Sequence, residues 1–213
     1  VAACEKHVCV GAADGSVNLH KIVGGAVKNV QGRRIPLAYP MESQQLKTEV
    51  TAVSFSHSGD MLAAAWATGE VAVYDTSSTA RLARFSQDDC SGAWDMLVLA
   101  FSADDSRLAV GGGFCATVAV HRLAAQRPRR FAIPGSNDQL SSAAVSARHV
   151  ALVYGSRIVV QRHDGAEVAD FDTGDPIISS SQISPVKLRP KGEHVAVVLN
   201  VKAVAVYSFE VPK

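Results

Sequence analysis

The chain has 213 residues, of which 47% are hydrophobic and 19% are charged, and this composition excludes an intrinsically disordered protein. Its 21 Lys and Arg residues against 20 Asp and Glu residues give a net charge of +1, which excludes binding of nucleic acid through bulk positive charge. No apolar run approaches the ~20 residues of a membrane-spanning helix, and no charged-then-apolar leader opens the chain. A globular protein located in the cytoplasm is therefore expected.

Five short segments share one pattern, an apolar β-branched run that ends in a large polar or aromatic side chain. They are Ser16–Lys21, Glu70–Asp75, Thr117–Arg122, Arg157–Arg162 and Ala203–Ser208. The pattern recurs about every 45 residues, which is typical of a repeat architecture. Its composition predicts β-strands rather than helices.

Further strands are predicted around each of these segments. An apolar strand precedes every one of them, at His7–Ala12, Met61–Trp66, Leu108–Gly113, His149–Tyr154 and His194–Leu199. Another strand lies upstream of that in four units, at Val50–Phe55, Met96–Phe101, Ser141–Ser146 and Ser184–Leu188. A more polar strand follows in three units, at Arg81–Phe85, Arg129–Ile133 and Glu167–Phe171. Because tight turns such as Asp14-Gly15 separate the strands, each unit is predicted to be a four-stranded antiparallel sheet.

The predicted fold class is all-β, with the sheets arranged as the blades of a β-propeller. A four-stranded sheet of this size cannot bury both faces alone, and stacking several sheets around an axis solves this while leaving only short edges. About five blades are visible, with predicted ranges 1–45, 46–90, 91–138, 139–176 and 177–213. The Gly and Ala residues of the inner strands are expected to allow close approach between neighbouring sheets.

The segment Val50–Asp75 (VTAVSFSHSGDMLAAAWATGEVAVYD) resembles a repeat of the WD40 family. Tyr74-Asp75 stands where that family usually has its Trp-Asp pair, and Asp14 stands where it has its tight-turn Asp. The family's Gly-His dipeptide is absent. The Trp-Asp pair is replaced in the other units, by His20-Lys21, His121-Arg122, Gln161-Arg162 and Tyr207-Ser208.

This resemblance implies a divergent WD40 propeller without enzymatic activity that acts as a scaffold for protein–protein interactions in a larger assembly. WD40 propellers commonly have seven blades, so we expect either a piece of a longer protein or a ring that other residues or a partner complete. The order of the first three units is also similar to the C-terminal propeller of the actin-interacting protein 1 family. That second resemblance implies an alternative role as a regulator of actin filaments.

The resemblance also places partner-binding residues in the loops that precede the first strand of a blade. These loops are Thr48–Thr51, Cys90–Met96 and Asn137–Ser141, and their candidate contacts are Glu49, Trp94, Asp95 and Asp138. Trp94 is the best single anchor because Trp is enriched in interface hot spots. A plug between two blades is an equally good interpretation of Trp94.

Arginines form a second candidate surface on the outer strands and the loops beside them. They are Arg127, Arg129 and Arg130, together with Arg33, Arg34, Arg81 and Arg84. Such a surface could bind an acidic protein, a phosphoinositide headgroup or RNA, and this adaptor role is a further alternative. The favoured interpretation is that these charges protect the outer strands from pairing with other sheets.

The remaining polar clusters are interpreted as structural, and no catalytic residue, metal or cofactor is predicted. His57, Ser58 and Asp60 fall within one short turn, whereas a catalytic triad usually converges from separated positions. Gly111–Gly113 lacks the Lys and Ser/Thr of a phosphate-binding loop and is assigned to a crowded inner strand or a bulge. The remaining candidates are the histidines at equivalent positions, the loop carboxylates and the four cysteines. His20 and His121 are assigned to packing, and the carboxylates Asp88, Asp89, Asp104 and Asp105 are assigned to solvated loops. The four cysteines are assigned to reduced thiols rather than disulfides; they are Cys4, Cys9, Cys90 and Cys115.

Overall fold

The computed structural model of the chain describes ten stretches of the polypeptide. They are residues 1–23, 26–35, 49–86, 97–112, 117–124, 129–132, 140–174, 186–188, 194–199 and 203–209. All regular structure in these stretches is β-strand. No helix in them is long and apolar enough to cross a membrane.

The strands form five separate sheets in chain order. The first sheet contains β1 (Ala2–Ala3), β2 (His7–Gly11), β3 (Val17–Val23) and β4 (Ala26–Ile35). The second contains β5 (Val50–Phe55), β6 (Met61–Trp66), β7 (Glu70–Asp75) and β8 (Arg81–Ser86). The third contains β9 (Leu97–Phe101), β10 (Arg107–Gly112), β11 (Thr117–Arg122) and β12 (Arg129–Ala132). The fourth contains β13 (Leu140–Val145), β14 (His149–Tyr154), β15 (Arg157–Arg162) and β16 (Glu167–Asp172), and the fifth contains β17 (Val186–Leu188), β18 (His194–Leu199) and β19 (Ala203–Ser208).

Every sheet is an antiparallel meander in which each strand pairs with the next one along the chain. The predicted strands agree with these bounds to within a residue or two, and several of them, such as Met61–Trp66 and Arg157–Arg162, agree fully. Strand β4 was not predicted, because its sequence AVKNVQGRRI is polar and contains an internal Gly. The number of blades in a closed ring stays a prediction.

Four apolar clusters hold the sheets together, one between each pair of consecutive sheets. Cys9, Val17 and Leu19 of the first sheet pack with Leu62 and Trp66 of the second. The next three interfaces join the second sheet to the third, the third to the fourth and the fourth to the fifth in the same way. Because side chains alternate across a strand, the second, third and fourth sheets each contribute residues to two clusters. The core is therefore a series of layers that runs along the chain.

Small residues let the sheets approach closely, as the sequence predicts. A Cβ atom added to Gly11 would lie 2.4 Å from Cγ1 of Val50 in the second sheet. One added to Gly111 would lie 2.8 Å from Cγ2 of Val118 and 2.9 Å from Cδ2 of Leu140 in the fourth sheet. The assignment of Gly111 to a crowded inner strand therefore agrees with the structure.

The fourth strand of a sheet is its outer edge, and three of these strands are interrupted by a register shift. In the second sheet, Val73 pairs with Ala83 of β8, but the next residue, Tyr74, pairs with Arg81, so β8 contains one unpaired residue at this point. Strands β4 and β16 have shifts at the corresponding position of the repeat, between the partners of Leu19 and Lys21 and between those of Val160 and Gln161. Bulges of this kind twist an edge away from flat pairing with another strand. These shifts protect the edges in their own right, and the role of the outer arginines as edge protection stays a prediction.

Candidate protein-interaction face

The meander divides the connections of each sheet between two ends. The described turns between the second and third strands, together with the starts of the first strands and the ends of the fourth strands, lie at one end, here called the loop end. Turns between the first and second strands and between the third and fourth strands lie at the opposite end, here called the turn end. Loops supported by a rigid frame are where binding residues concentrate.

At the loop end, the tight turn of the first sheet is fixed by Asp14. Its Oδ1 accepts hydrogen bonds from the backbone N–H of Ser16 at 2.9 Å and from the Ser16 hydroxyl at 2.6 Å. Gly15 has a φ of 81°, which the turn requires and which glycine adopts without strain. The carbonyl of Gly15 in turn accepts a 2.9 Å hydrogen bond from the indole N–H of Trp66 in the second sheet. This turn is therefore held by hydrogen bonds both within the first sheet and to the second sheet.

The loop end of the fourth sheet contains a second ordered cluster. The Ser156 hydroxyl donates to Asp172 at 2.8 Å, and the backbone N–H of Gly174 donates to the same Asp172 oxygen at 3.0 Å. Those two hydrogen bonds hold the pKa of Asp172 below its usual value. Thr173 donates to the carbonyl of Ser156 through both its backbone N–H, at 2.9 Å, and its hydroxyl, at 2.8 Å. The residues that directly follow β16 are therefore held by hydrogen bonds to the turn between β14 and β15.

Arg157 extends this cluster along the sheet. Its guanidinium pairs with Asp170 and lies 5.7 Å from the centre of the Tyr154 ring. The hydrogen bond from Arg157 to Asp170 raises the pKa of the guanidinium further, so the group stays charged at any physiological pH. The sequence did not single out this cluster, although the Gly155-Ser156 turn and the acidic alternation of β16 are visible in it.

Exposed carboxylates recur at the loop end within the described stretches. Asp14, Glu49 and Asp172 are all exposed, and they belong to the first, second and fourth sheets or the residues beside them. Glu49 was predicted as a contact residue. Its backbone carbonyl accepts a 3.0 Å hydrogen bond from Ala67, which fixes the chain there while the side chain remains exposed. These groups give the described part of the loop end an acidic character.

Most of the other predicted contact residues lie outside the described stretches. These residues are Trp94, Asp95, Asp138 and Arg127. Arg129 belongs to β12, and Arg130 in the same strand is exposed. The structure therefore describes Glu49 at the loop end and six of the predicted arginines on the outer strands, namely Arg33, Arg34, Arg81, Arg84, Arg129 and Arg130.

The turn end is organised by hydrogen bonds between sheets. Asp105 of the third sheet accepts from the backbone N–H groups of His57, at 2.6 Å, and Ser58, at 3.0 Å, in the second sheet. Lys6 of the first sheet pairs with Asp60 at 3.2 Å. The backbone N–H of Asp60 also donates to the Ser58 hydroxyl at 3.2 Å, so this segment is an ordinary hydrogen-bonded turn. Its geometry agrees with the turn interpretation of these residues.

Tyr74 and Asp75, the pair compared with the Trp-Asp of WD40 repeats, play different parts. Tyr74 is buried in the interface with the first sheet, and burial raises the pKa of its phenol. Asp75 accepts hydrogen bonds from the N–H and hydroxyl groups of both Ser77 and Ser78. The Ser77 hydroxyl contributes most to lowering the pKa of Asp75 to about 2.

The described stretches contain no cluster of three or more His, Cys, Asp or Glu residues that could hold a metal ion. Cys4 and Cys9 are free thiols, with Cys9 fully buried and Cys4 half-buried. Burial raises the pKa of the Cys9 thiol to about 12. Both behave as the sequence predicts for reduced cysteines, whereas Cys90 and Cys115 lie outside the described stretches.

Comparisons with known proteins agree with this architecture. Residues 26–104 match the family described as the anaphase-promoting complex subunit 4 WD40 domain. The structure is similar to the crystal structure of the β-propeller domain of Cps50 (Swd1) from Myceliophteria thermophila, with a TM-score of 0.69 and 14% sequence identity. The similarity covers 96% of this chain and 67% of that one. The fold is that of a WD40 β-propeller.

The propeller is a divergent one. No curated protein matches its sequence. WD40 propellers typically serve as surfaces for protein interaction, and they generally lack catalytic activity. The departures noted in the sequence, such as His121 in place of the family's Trp, have structural counterparts, since His121 packs against Phe85 of the preceding sheet.

Proposed function

We propose that this propeller is a non-catalytic scaffold that binds a protein partner at its loop end. The observation that carries the proposal is the set of exposed carboxylates Asp14, Glu49 and Asp172, held on turns that are fixed by hydrogen bonds to the sheets. Turns that are already ordered lose little backbone entropy on binding, and charge complementarity steers a partner of opposite sign. The partner segment is therefore one rich in Lys or Arg.

The comparisons support a role within an assembly. The matching family is named for a subunit of the anaphase-promoting complex, so a relative of this region is a component of a multi-protein machine. We extend only that general role to this chain. The predicted contacts Trp94, Asp95 and Asp138 belong to the same proposal by their position in the sequence, because they precede the first strands of the third and fourth sheets, which begin at the loop end.

The adaptor alternative relies on the outer arginines and receives less support. Arg84 pairs with Glu70 at 2.5 Å, so part of the positive charge of β8 is neutralised within its own sheet. The register shifts of three outer strands also fit a role in edge protection. A phosphoinositide or RNA partner would need these arginines to be available as a group.

Site-directed photo-crosslinking in cells tests the proposal. A benzoylphenylalanine introduced at Thr68, which is exposed at the loop end, is expected to capture a protein partner. The same group at Ser58, exposed at the turn end, and at Leu82, exposed on the outer edge, provides two matched controls. Capture of lipid or RNA at Leu82, with no protein captured at Thr68, would favour the adaptor.

A charge reversal then tests the chemistry of the contact. Glu49→Lys should reduce capture from Thr68 by roughly tenfold, since a lost charge pair and a new repulsion together amount to about 1.4 kcal/mol or more. Glu167→Lys makes the same charge change on the outer strand β16, where the side chain is exposed, and should leave capture unchanged. Equal losses in both variants would contradict a loop-end contact.

A further inference from the structure

Each of the four interfaces between consecutive sheets contains a ring contact between one His and one Phe among the described residues. The ring centroids are separated by 6.3 Å for His7 and Phe55, 3.9 Å for Phe85 and His121, 6.1 Å for Phe131 and His163, and 5.6 Å for His149 and Phe209. In every pair the two rings come from neighbouring sheets. The contacts therefore join the sheets to one another rather than stabilise any one of them.

Three of these histidines have buried ring nitrogens without a hydrogen-bond partner. This is true of both nitrogens of His121, both nitrogens of His149 and Nδ1 of His7. His121 is 3% exposed and His149 is 0% exposed, so both rings are shielded from bulk solvent. A neutral imidazole leaves one donor and one acceptor unsatisfied in such a place, whereas an imidazolium would leave two charged donors there. The packed interfaces therefore accept only the neutral ring.

His163 differs from the other three. Its Nε2 lies 3.0 Å from the carbonyl oxygen of Ser146, so this ring has a partner at the surface of the interface. The interface that it shares with Phe131 provides an internal comparison for the others.

We propose that the contacts of His121 with Phe85 and of His149 with Phe209 form an acid-sensitive device that loosens the packing between sheets when the imidazoles are protonated. Protonation adds a charge that has no partner within the closed interface. Separation of the two sheets hydrates that charge and removes the penalty. Each sheet retains its own backbone hydrogen bonds, so the interfaces open before the strands unfold.

Burial is the largest influence on the pKa of both rings, and it disfavours the charged form. Burial is what lowers the pKa of His121, to about 4. At His149, burial acts first, and His163, Arg148 and Arg162 lower the pKa further while Asp164 raises it.

The His7 ring has the same type of surroundings. Its pKa is lowered by burial and then by Lys21 and Lys6, while Asp60 raises it. A histidine with a lowered pKa in the folded state is neutral there. Its contribution to stability is present above the unfolded-state pKa of about 6.5 and is lost as the pH falls from there towards the folded-state value.

The experiment compares unfolding at pH 7 and pH 5 in the wild-type chain and in His121→Leu, His149→Leu and the double variant. His121 alone should raise the unfolding equilibrium constant roughly 20-fold between these pH values, and His121→Leu should remove that increase. His57→Asn changes an exposed histidine on a turn and should preserve the full dependence. If the double variant shows the same pH dependence as the wild type, the proposal is wrong.

Two measurements on the wild-type protein decide the question even if a variant does not fold. NMR titration of ¹³C-labelled histidines should show His121 and His149 neutral in the folded protein at pH 6. At pH 5 the methyl NMR signals of Leu108 and Val110, whose side chains pack against the second sheet, should shift or broaden before the amides of their strand lose protection from hydrogen exchange. Ordinary titration of both rings near pH 6.5 in the folded state, or loss of amide protection across all strands without an earlier change at these methyl groups, would overturn the proposal.

Discussion

The indole N–H of Trp66 donates a 2.9 Å hydrogen bond to the backbone carbonyl of Gly15, which lies 51 residues earlier in the chain. The bond is buried and joins the end of β6 in the second sheet to the tight turn of the first. The Trp66 side chain therefore contributes both apolar burial in the interface and a hydrogen bond to the backbone. The relative position of the two sheets is thereby fixed at the loop end.

Replacing Trp66 tests the importance of this contact. Trp66→Phe should lower the free energy of unfolding by about 1–3 kcal/mol, since it removes the donor and leaves space beside a buried carbonyl. Urea denaturation followed by circular dichroism measures the change. Leu82→Ala, at a side chain that is 54% exposed, is the control and should change stability by less than about 0.5 kcal/mol. Equal effects at the two sites would show that the bond contributes little.

Asp105 provides a second test, because its carboxylate holds the backbone of the neighbouring sheet. Its φ of 56° lies in the left-handed region, where Asn is as well tolerated as Asp. Asp105→Asn keeps that conformation and one acceptor, whereas Asp105→Ala loses both. Amide hydrogen exchange at His57 and Ser58 should therefore accelerate strongly in the Ala variant and modestly in the Asn variant. Unchanged exchange in the Ala variant would mean that the contact does not persist in solution.

Gly111 tests how tightly the third and fourth sheets pack. Gly111→Ala should destabilise the protein by about 1–3 kcal/mol, because the new methyl group would overlap Val118 and Leu140. Gly155 is a matched control, since nothing lies within 4 Å of a Cβ placed there. Its φ of 57° is one that Asn adopts readily, so Gly155→Asn should be nearly neutral. Differential scanning calorimetry compares the two variants.

The turn that follows β7 should respond to acid through Asp75. The pKa of Asp75 is about 2, below its ordinary value of 3.8, so the ionised form is favoured by the folded turn. The stabilisation is present above pH ~4 and is lost as the pH falls through about 2. NMR titration of the Ser77 and Ser78 amides should give a midpoint near that value. A midpoint near 4 would show that these hydrogen bonds are not maintained.

Cys9 should be protected from alkylation while the protein is folded. The thiol is fully buried, and its pKa of about 12 leaves almost no thiolate, which is the reactive form. Iodoacetamide at pH 8 followed by peptide mapping should label Cys9 only after denaturation. Labelling at the same rate in native and denatured protein would contradict the burial of the first sheet's inner face.

The sequence was sufficient to predict the strands of the sheets because their signal is local. Alternating apolar residues and short turns such as Asp14-Gly15 specify a meander without reference to distant residues. Strand β4 was missed because it is an outer strand, where a polar and Gly-containing sequence does not differ from a loop. It is defined instead by its pairing with β3.

The candidate site was less predictable, since its contacts connect distant parts of the chain. The bonds from Trp66 to Gly15 and from His57 to Asp105 span 51 and 48 residues. No spacing rule identifies such partners. The contact of His121 with Phe85 was likewise hidden, although the recurrence of His at equivalent positions was visible in the repeat. The sequence therefore indicated which residues to compare but not which neighbour each one meets.

The irregular outer strands have a consequence for the behaviour of the protein at high concentration. A fibril grows when a flat strand edge offers its free backbone groups to a neighbouring molecule, and the shifts in β4, β8 and β16 remove that flatness. Strand β12 pairs with β11 without a shift, and it is the one that begins with two successive arginines, Arg129 and Arg130. Where the backbone is regular, we expect charge repulsion between these arginine-bearing edges to keep molecules apart.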